Sequence, residues 1–266
     1  MKGFWISDPV IGWDVIQSEL PAVNFVHKYE NVFSFNQSFM ATIDAASEKC
    51  GYSTYSATHV TFPPKGLLPL PGKSVEGDPG CFLWEEVFDA ALLVNPAFNI
   101  YRIFDTFPIL WDVLGFPGSF EQVQVSPIYF DRDDVKRVIH APVSVDWTEC
   151  SNENVFLRPG DTSLPSSFTV LPSIIEKSER SVIVHGLGDY ILIAEGTRIT
   201  IQNMTCEYIV FSHVIAISVV TTGAGQQGFQ TPILNDSFIV DGVGALGNMH
   251  SERGLTYFEV ALSGHM

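Results

Sequence analysis

From residue 11 to about residue 46 the hydrophobic positions fall mostly at the spacing of an amphipathic helix, with Pro21 as a break or an N1 residue. Helical patterning returns at 82–94, in a short stretch at 131–141, and again at 164–179 and 190–202. Between these lie short runs of another kind. Residues 3–7 read as a strand, which Asp8-Pro9 ends because proline removes a backbone donor and fixes the turn. Residues 181–185, S-V-I-V-H, are rich in β-branched side chains and bounded by turn signals, the pattern of a buried strand in a parallel sheet. Residues 255–262, L-T-Y-F-E-V-A-L, alternate well enough to form another strand.

Residues 50–81 interrupt the periodicity with Pro, Gly, Ser and Thr, including F-P-P at 62–64 and L-P-L-P-G at 68–72. This is a loop, and a long loop needs tying down. Cys50 and Cys81 flank it, and a disulfide between them contributes roughly 3 kcal/mol by the chain-entropy argument. Two buried free thiols are the other reading. Gly72-Lys73-Ser74 does not complete a phosphate loop, because Gly66 lies one residue too far away and no strand precedes it. Glu85 and Glu86 read as a solvated helix face. Lys136, Arg137 and His140 lie toward the end of a helix whose first turn is acidic, which the macrodipole explains without a ligand role for the histidine.

Two strand ends carry the candidate chemistry. The glycine-flanked loop H-G-L-G-D delivers Asp189 just past the strand at 181–185, and the strand at 255–262 runs into S-G-H, which delivers His265. A lone aspartate after a strand is a cap more often than a catalyst. Acid then histidine, each at a strand end, is the tail of the hydrolase order nucleophile, acid, histidine. The nucleophile elbow G-x-S-x-G is absent: G-K-S-V-E-G at 72–77 has one residue too many, and Gly118-Ser119 has no second glycine.

Charge narrows the partners. Fourteen Lys plus Arg against thirty Asp plus Glu give a net charge of −16, which argues against nucleic acid and anionic membranes, since both require a basic footprint. With 46% hydrophobic residues, 20 of them Phe, the chain forms a core, and 266 residues suit one domain or a catalytic core carrying an insertion. The apolar stretch 206–223 is shorter than the ~20 residues that span a bilayer. Met1 to Trp5 is no secretory signal, whereas Asn36, Asn203 and Asn235 open N-x-[ST] sequons that become acceptors on a secretory route.

The chain resembles the C-terminal part of the fungal serine carboxypeptidases. The residues carrying the resemblance are K-G-F-W-I-S-D-P at 2–9, G-C-F-L-W at 80–84, N-P-A-F-N-I-Y-R-I at 95–103, D-W-T-E-C at 146–150, H-G-L-G-D-Y-I-L-I-A-E-G-T at 185–197 and S-G-H-M at 263–266. It implies an α/β fold: the C-terminal part of an α/β-hydrolase sheet with a mainly helical cap insertion. Residues 1–10 would supply a core strand, 11–130 the cap, and 131–266 the C-terminal catalytic core.

The implied activity is a serine-type carboxypeptidase with a peptide substrate and no cofactor or metal. Asp189 and His265 are its catalytic acid and histidine, Met266 lines the leaving-residue pocket and Ile191 a wall on the acyl side. The implied location is secreted or vacuolar. In the family the nucleophile lies in a G-E-S-Y-A-G segment upstream of the strand matching residues 3–7, so the chain is expected to be inactive alone and prone to aggregate at an uncovered sheet edge. Cys150 matches a cysteine whose partner also lies upstream.

In this pattern Asn203-Met204-Thr205 should run through tryptophan directly into the segment beginning near Gly225. The apolar run 206–223 reads either as a buried strand or as translated intron, with C-E-Y encodable by a fungal-type splice donor and Thr222-Gly223 by an acceptor. A transcript that retains the run as its only form would overturn the intron reading. An acyltransferase of the same fold and a non-catalytic truncated product are the alternative functions.

Overall fold

In the computed structural model the described residues are 2–71, 79–105, 128–147, 163–204, 228–233 and 236–265. A five-stranded mixed sheet runs in the order β1-β2-β5-β4-β3. β1 (Phe4–Ser7), β2 (Ser181–Gly186) and β5 (Leu255–Val260) are parallel, with Phe4 opposite Ser181 and Ser181 opposite Leu255. These are the three strands that the apolar runs predict. The last two, β3 (Ser237–Val240) and β4 (Gly244–Glu252), form an antiparallel hairpin added to β5.

The helices are α1 (Leu20–Lys28), α2 (Glu30–Phe33), α3 (Gln37–Cys50), α4 (Tyr55–His59), α5 (Leu83–Val94), α6 (Asp133–Val138), α7 (Val170–Lys177) and α8 (Ala194–Asn203). The helical region after β1 starts with a π-turn segment, Val15–Glu19, and Pro21 sits in the first turn of α1, where a missing N–H costs nothing. Asn36 caps α3, its Oδ1 accepting from Phe39 N at 2.9 Å, and Gly51 ends that helix in the left-handed region at φ 77°. Glu85 and Glu86 are exposed on α5.

Two buried clusters divide the core. One joins the cap helices to the segment after β2, with Leu20, Phe25, Phe33, Ile43, Leu83 and Tyr190 among its members. The other packs β2 and β5 through Ile183, Leu255 and Tyr257 against Leu171, Ile175 and Ile201. α8 serves both, with Ile199 in the first cluster and Ile201 in the second. The cap is stitched by the Cys50–Cys81 disulfide, closing a separation of 31 residues, and Tyr52 Oη donates to Cys81 O at 3.1 Å. Within that span α4 adds a turn of helix to what reads from the sequence as loop. No helix among the described residues is long and apolar enough to cross a membrane. The run 206–223, Cys150, Asn235 and Met266 lie outside the described residues.

Candidate active site

The parallel strands bring three chain segments to one edge of the sheet. β2 ends at Gly186 and the backbone turns at once: Leu187 N donates to Val260 O at 2.9 Å and Gly188 N to Ser263 O at 2.7 Å. The cap holds the same turn from the other side. Ile103 N donates to Gly188 O, Tyr190 N and Ile191 N both donate to Ile100 O, and Tyr29 Oη donates to Leu187 O. Trp84 and Tyr190 stack at 5.5 Å between centroids; Trp84 Nε1 donates to Tyr190 O and Tyr190 Oη to Trp84 O. G-C-F-L-W thus anchors the loop that carries Asp189. This anchoring delays the next helix, which starts at Ala194 instead of at Tyr190 as the pattern suggests.

Past β5 the chain returns across this turn. His265 N donates to Tyr101 O at 2.6 Å. A Cβ on Gly264 would collide with Tyr101 O, and one on Gly186 would collide with Gly264 O, so the two strand ends meet through glycine. The result is a hydrogen bond of 2.8 Å between His265 Nδ1 and Asp189 Oδ2. Asp189 is fully buried and its other oxygen accepts from Leu192 N at 3.0 Å, which fixes the carboxylate plane. The His265 side chain is 33% exposed, and its Nε2 has no hydrogen-bond partner among the described residues. The bond to Asp189 raises the His265 pKa, burial opposes it, and the charges of Asp189 and Asp8 add to the rise. Such a histidine has one nitrogen fixed by a buried acid and one available to exchange a proton.

Two neighbours escaped the sequence reading. Asp8, which with Pro9 reads as a strand terminator, is buried and its Oδ1 accepts from Gly186 N at 2.7 Å. His185, which reads as the last residue of a strand, is fully buried. Its Nε2 donates to Leu192 O at 2.6 Å and lies 3.7 Å from Asp8 Oδ1 and 3.6 Å from Asp189 Oδ2. The signal available was register: with Ser7 opposite Val184 in the parallel pair, Asp8 comes within reach of Gly186. Asp8, Asp189 and His265 place one polar atom each within 4.8 Å of the others, and two of the three are hydrogen-bonded to each other.

The other expected site residues are less gathered. Ile191 is half-buried and packs on the cap-side cluster. Asn36 is exposed at its helix cap. Asn203 is 9% exposed and its Oδ1 accepts from Leu68 N at 2.7 Å, so a glycan there would have to displace that bond.

Comparison with known proteins follows the same lines. Residues 119–266 match the family described as serine carboxypeptidase. The chain is 43% identical over 272 residues to a protein described as a probable serine carboxypeptidase from Arthroderma benhamiae, covering 98% of this chain and 47% of that protein. It is 38% identical to serine-type carboxypeptidase F of Aspergillus niger, covering all of this chain and 52% of the relative. The chain thus spans about half the length of the curated relatives it matches. Among solved structures it resembles KEX1(DELTA)p, a prohormone-processing carboxypeptidase from Saccharomyces cerevisiae, with a TM-score of 0.56 at 19% identity over 99% of this chain and 50% of the other. At that identity the likeness concerns the fold, an α/β-hydrolase.

Proposed function

The chain belongs to the serine carboxypeptidase family, and we propose on that premise that it supplies the acid and the histidine of a serine-type carboxypeptidase, which removes C-terminal residues from peptides by acyl transfer. The observation that carries the reading is the 2.8 Å bond between His265 Nδ1 and buried Asp189. A serine from a segment outside these 266 residues attacks the scissile carbonyl. His265 takes the serine proton on Nε2 and gives it to the departing amine. The same nitrogen then draws a proton from water as the acyl-enzyme is hydrolysed, and returns it to the departing serine oxygen. Asp189 holds the tautomer in which Nδ1 carries hydrogen and stabilises the imidazolium that forms. Ile191 and Met266 border the substrate, and secretion or vacuolar delivery accounts for the sequons and the disulfide. Alone, without a nucleophile elbow in its sequence, the chain does not hydrolyse peptides.

Full-length sequencing of the transcript tests the premise first. The expected message extends upstream in frame through G-E-S-Y-A-G and joins Thr205 to a tryptophan codon. The protein made from it should release the C-terminal residue of an N-blocked dipeptide. A message that starts at Met1 and retains the codons for 206–223, or a full-length product that only transfers acyl groups to an alcohol, overturns the proposal.

A further inference from the structure

The mechanism above uses Asp189 and His265 and leaves unexplained a second buried carboxylate at the same strand ends. Asp8 is 3% exposed and takes φ +38°, a left-handed conformation that a residue other than glycine holds only when its surroundings impose it. Its surroundings are specific. Asp8 N donates to Val184 O at 2.8 Å, extending the β1–β2 ladder by one bond. Asp8 Oδ1 then accepts from Gly186 N at 2.7 Å, capping β2 where the chain leaves the sheet for Asp189 three residues later.

We propose that Asp8 is a positioning residue for the Asp189–His265 pair, holding the turn that carries Asp189 and placing a second buried negative charge beside the imidazole. The inference rests on the reading of that pair as the reacting one. Among the described groups around His265, Asp189 is bonded to Nδ1, and Asp8 and Asp189 both lie within 4.8 Å of it. The Tyr101 ring lies 5.6 Å away. Arg102 is turned toward Leu262 O and Asp105, and His185 Nε2 is committed to Leu192 O. The positive charge that His265 gains in the reaction therefore arises beside two fixed carboxylates. Burying two like charges together is costly, and a cation near both offsets part of the cost. The upward push of Asp8 on the proton affinity of His265 agrees with this placement.

Asp8→Asn separates charge from scaffold. Asparagine tolerates positive φ and keeps an acceptor oxygen for Gly186 N, so the charge is lost while that bond is retained. In the full-length protein the His265 ring signal, titrated by NMR, should then move to a pKa lower by at least about half a unit. The acidic limb of kcat/KM should follow it, with KM unchanged. Asp8→Gly, which fits the same backbone angle, should shift the titration equally and in addition speed hydrogen exchange at the Gly186 amide, which the Asn variant leaves slow. An unshifted His265 titration in the folded Asn variant, or in the Gly variant should the Asn variant not fold, overturns the charge role. Unchanged exchange in the Gly variant overturns the clamp. The NMR titration needs no turnover, so an inactive full-length protein refutes the carboxypeptidase reading, and an unshifted titration in an active one refutes the charge role of Asp8 alone.

Discussion

Two histidines sit near opposite ends of β5, each with carboxylates about it, and they make different things of them. His265 follows the C-terminal end of the strand with Nδ1 on Asp189 at 2.8 Å, and its Nε2 has no partner among the described residues. His250 lies on β4 opposite Tyr257, its side chain 8% exposed, and spends both nitrogens. Nδ1 meets Asp236 Oδ2 at 2.9 Å and Nε2 meets Glu252 Oε2 at 3.0 Å, while Phe229 packs edge-on against the ring. Two carboxylate acceptors require two donors, and only the imidazolium has them. Burial lowers the His250 pKa, but the bonds to Glu252 and Asp236 outweigh it and the net shift is upward. Glu252 Oε2 also accepts from Gln230 N, so His250 fastens the segment at 228–233 to the hairpin. The proton exchange proposed for His265 needs one uncommitted nitrogen; His250, with both nitrogens bound to carboxylates, is suited to a structural cation instead.

The largest effect should come from the pair proposed to react, Asp189 and His265. In the full-length protein, Asp189→Asn should lower kcat by about 10⁴ with little change in melting temperature, because the geometry survives while the tautomer is lost. His265→Ala should act as strongly. His250→Leu should do the reverse: activity per folded molecule stays the same, and urea denaturation shows a loss of about 1 kcal/mol from the two charge-assisted bonds, modest because Asp236 is half-exposed and Glu252 only partly buried. If His250→Leu abolished turnover at unchanged stability, the distinction between the two histidines would collapse.

How much of this could be seen in the residues depends on where the information lies. β2 and β5 announce themselves because their apolar runs are short and bounded by turns, and Asp189 and His265 stand at their ends. The β3–β4 hairpin does not. G-A-L-G-N-M-H-S-E is poor in β-branched residues, and the strand exists through its pairing with β5, from Gly247 opposite Val260 to Glu252 opposite Leu255. Gly247 is needed there, since at φ +152° a Cβ would run into Glu259 O. His250 was therefore not legible as an ion-pair centre: its partners come from residue 236 and residue 252, and only the hairpin joins them. Asp8 shows the same limit at the candidate site. Its identity reads as a turn, and its role depends on parallel register with a strand more than 170 residues away.

The smallest effects are in the pH dependence of stability, and there the signs separate the groups. His250 has a raised pKa in the folded protein. Its stabilisation is complete below the ordinary histidine value of about 6.5 and is lost as pH rises through the folded value. Glu252 is shifted down on balance: burial raises it, but the bonds from His250 and from the Gln230 and Thr231 amides prevail. Its contribution is present above the ordinary glutamate value and is lost as pH falls through the folded one. Together they define a plateau from about pH 4.5 to about 6.5. Glu19 tilts it. Buried at the end of the π-turn segment, with Trp84 N donating to it at 2.9 Å, it is pushed up to about 7 by burial, which outweighs the backbone bonds from Trp84 and Leu83. The folded state then holds a proton that the unfolded chain releases, so stability falls as pH rises from the ordinary glutamate value to about 7 and is level beyond. Glu19→Gln keeps an acceptor for Trp84 N and cannot ionise; urea midpoints measured from pH 4.5 to 7 should become flatter, with the decline above pH 7 retained. His250→Leu should instead remove part of the decline above pH 6.5, leaving the share that His265 contributes with the same sign. Should His250→Leu flatten the lower range and Glu19→Gln the upper, the assignment of a structural cation to His250 would be wrong.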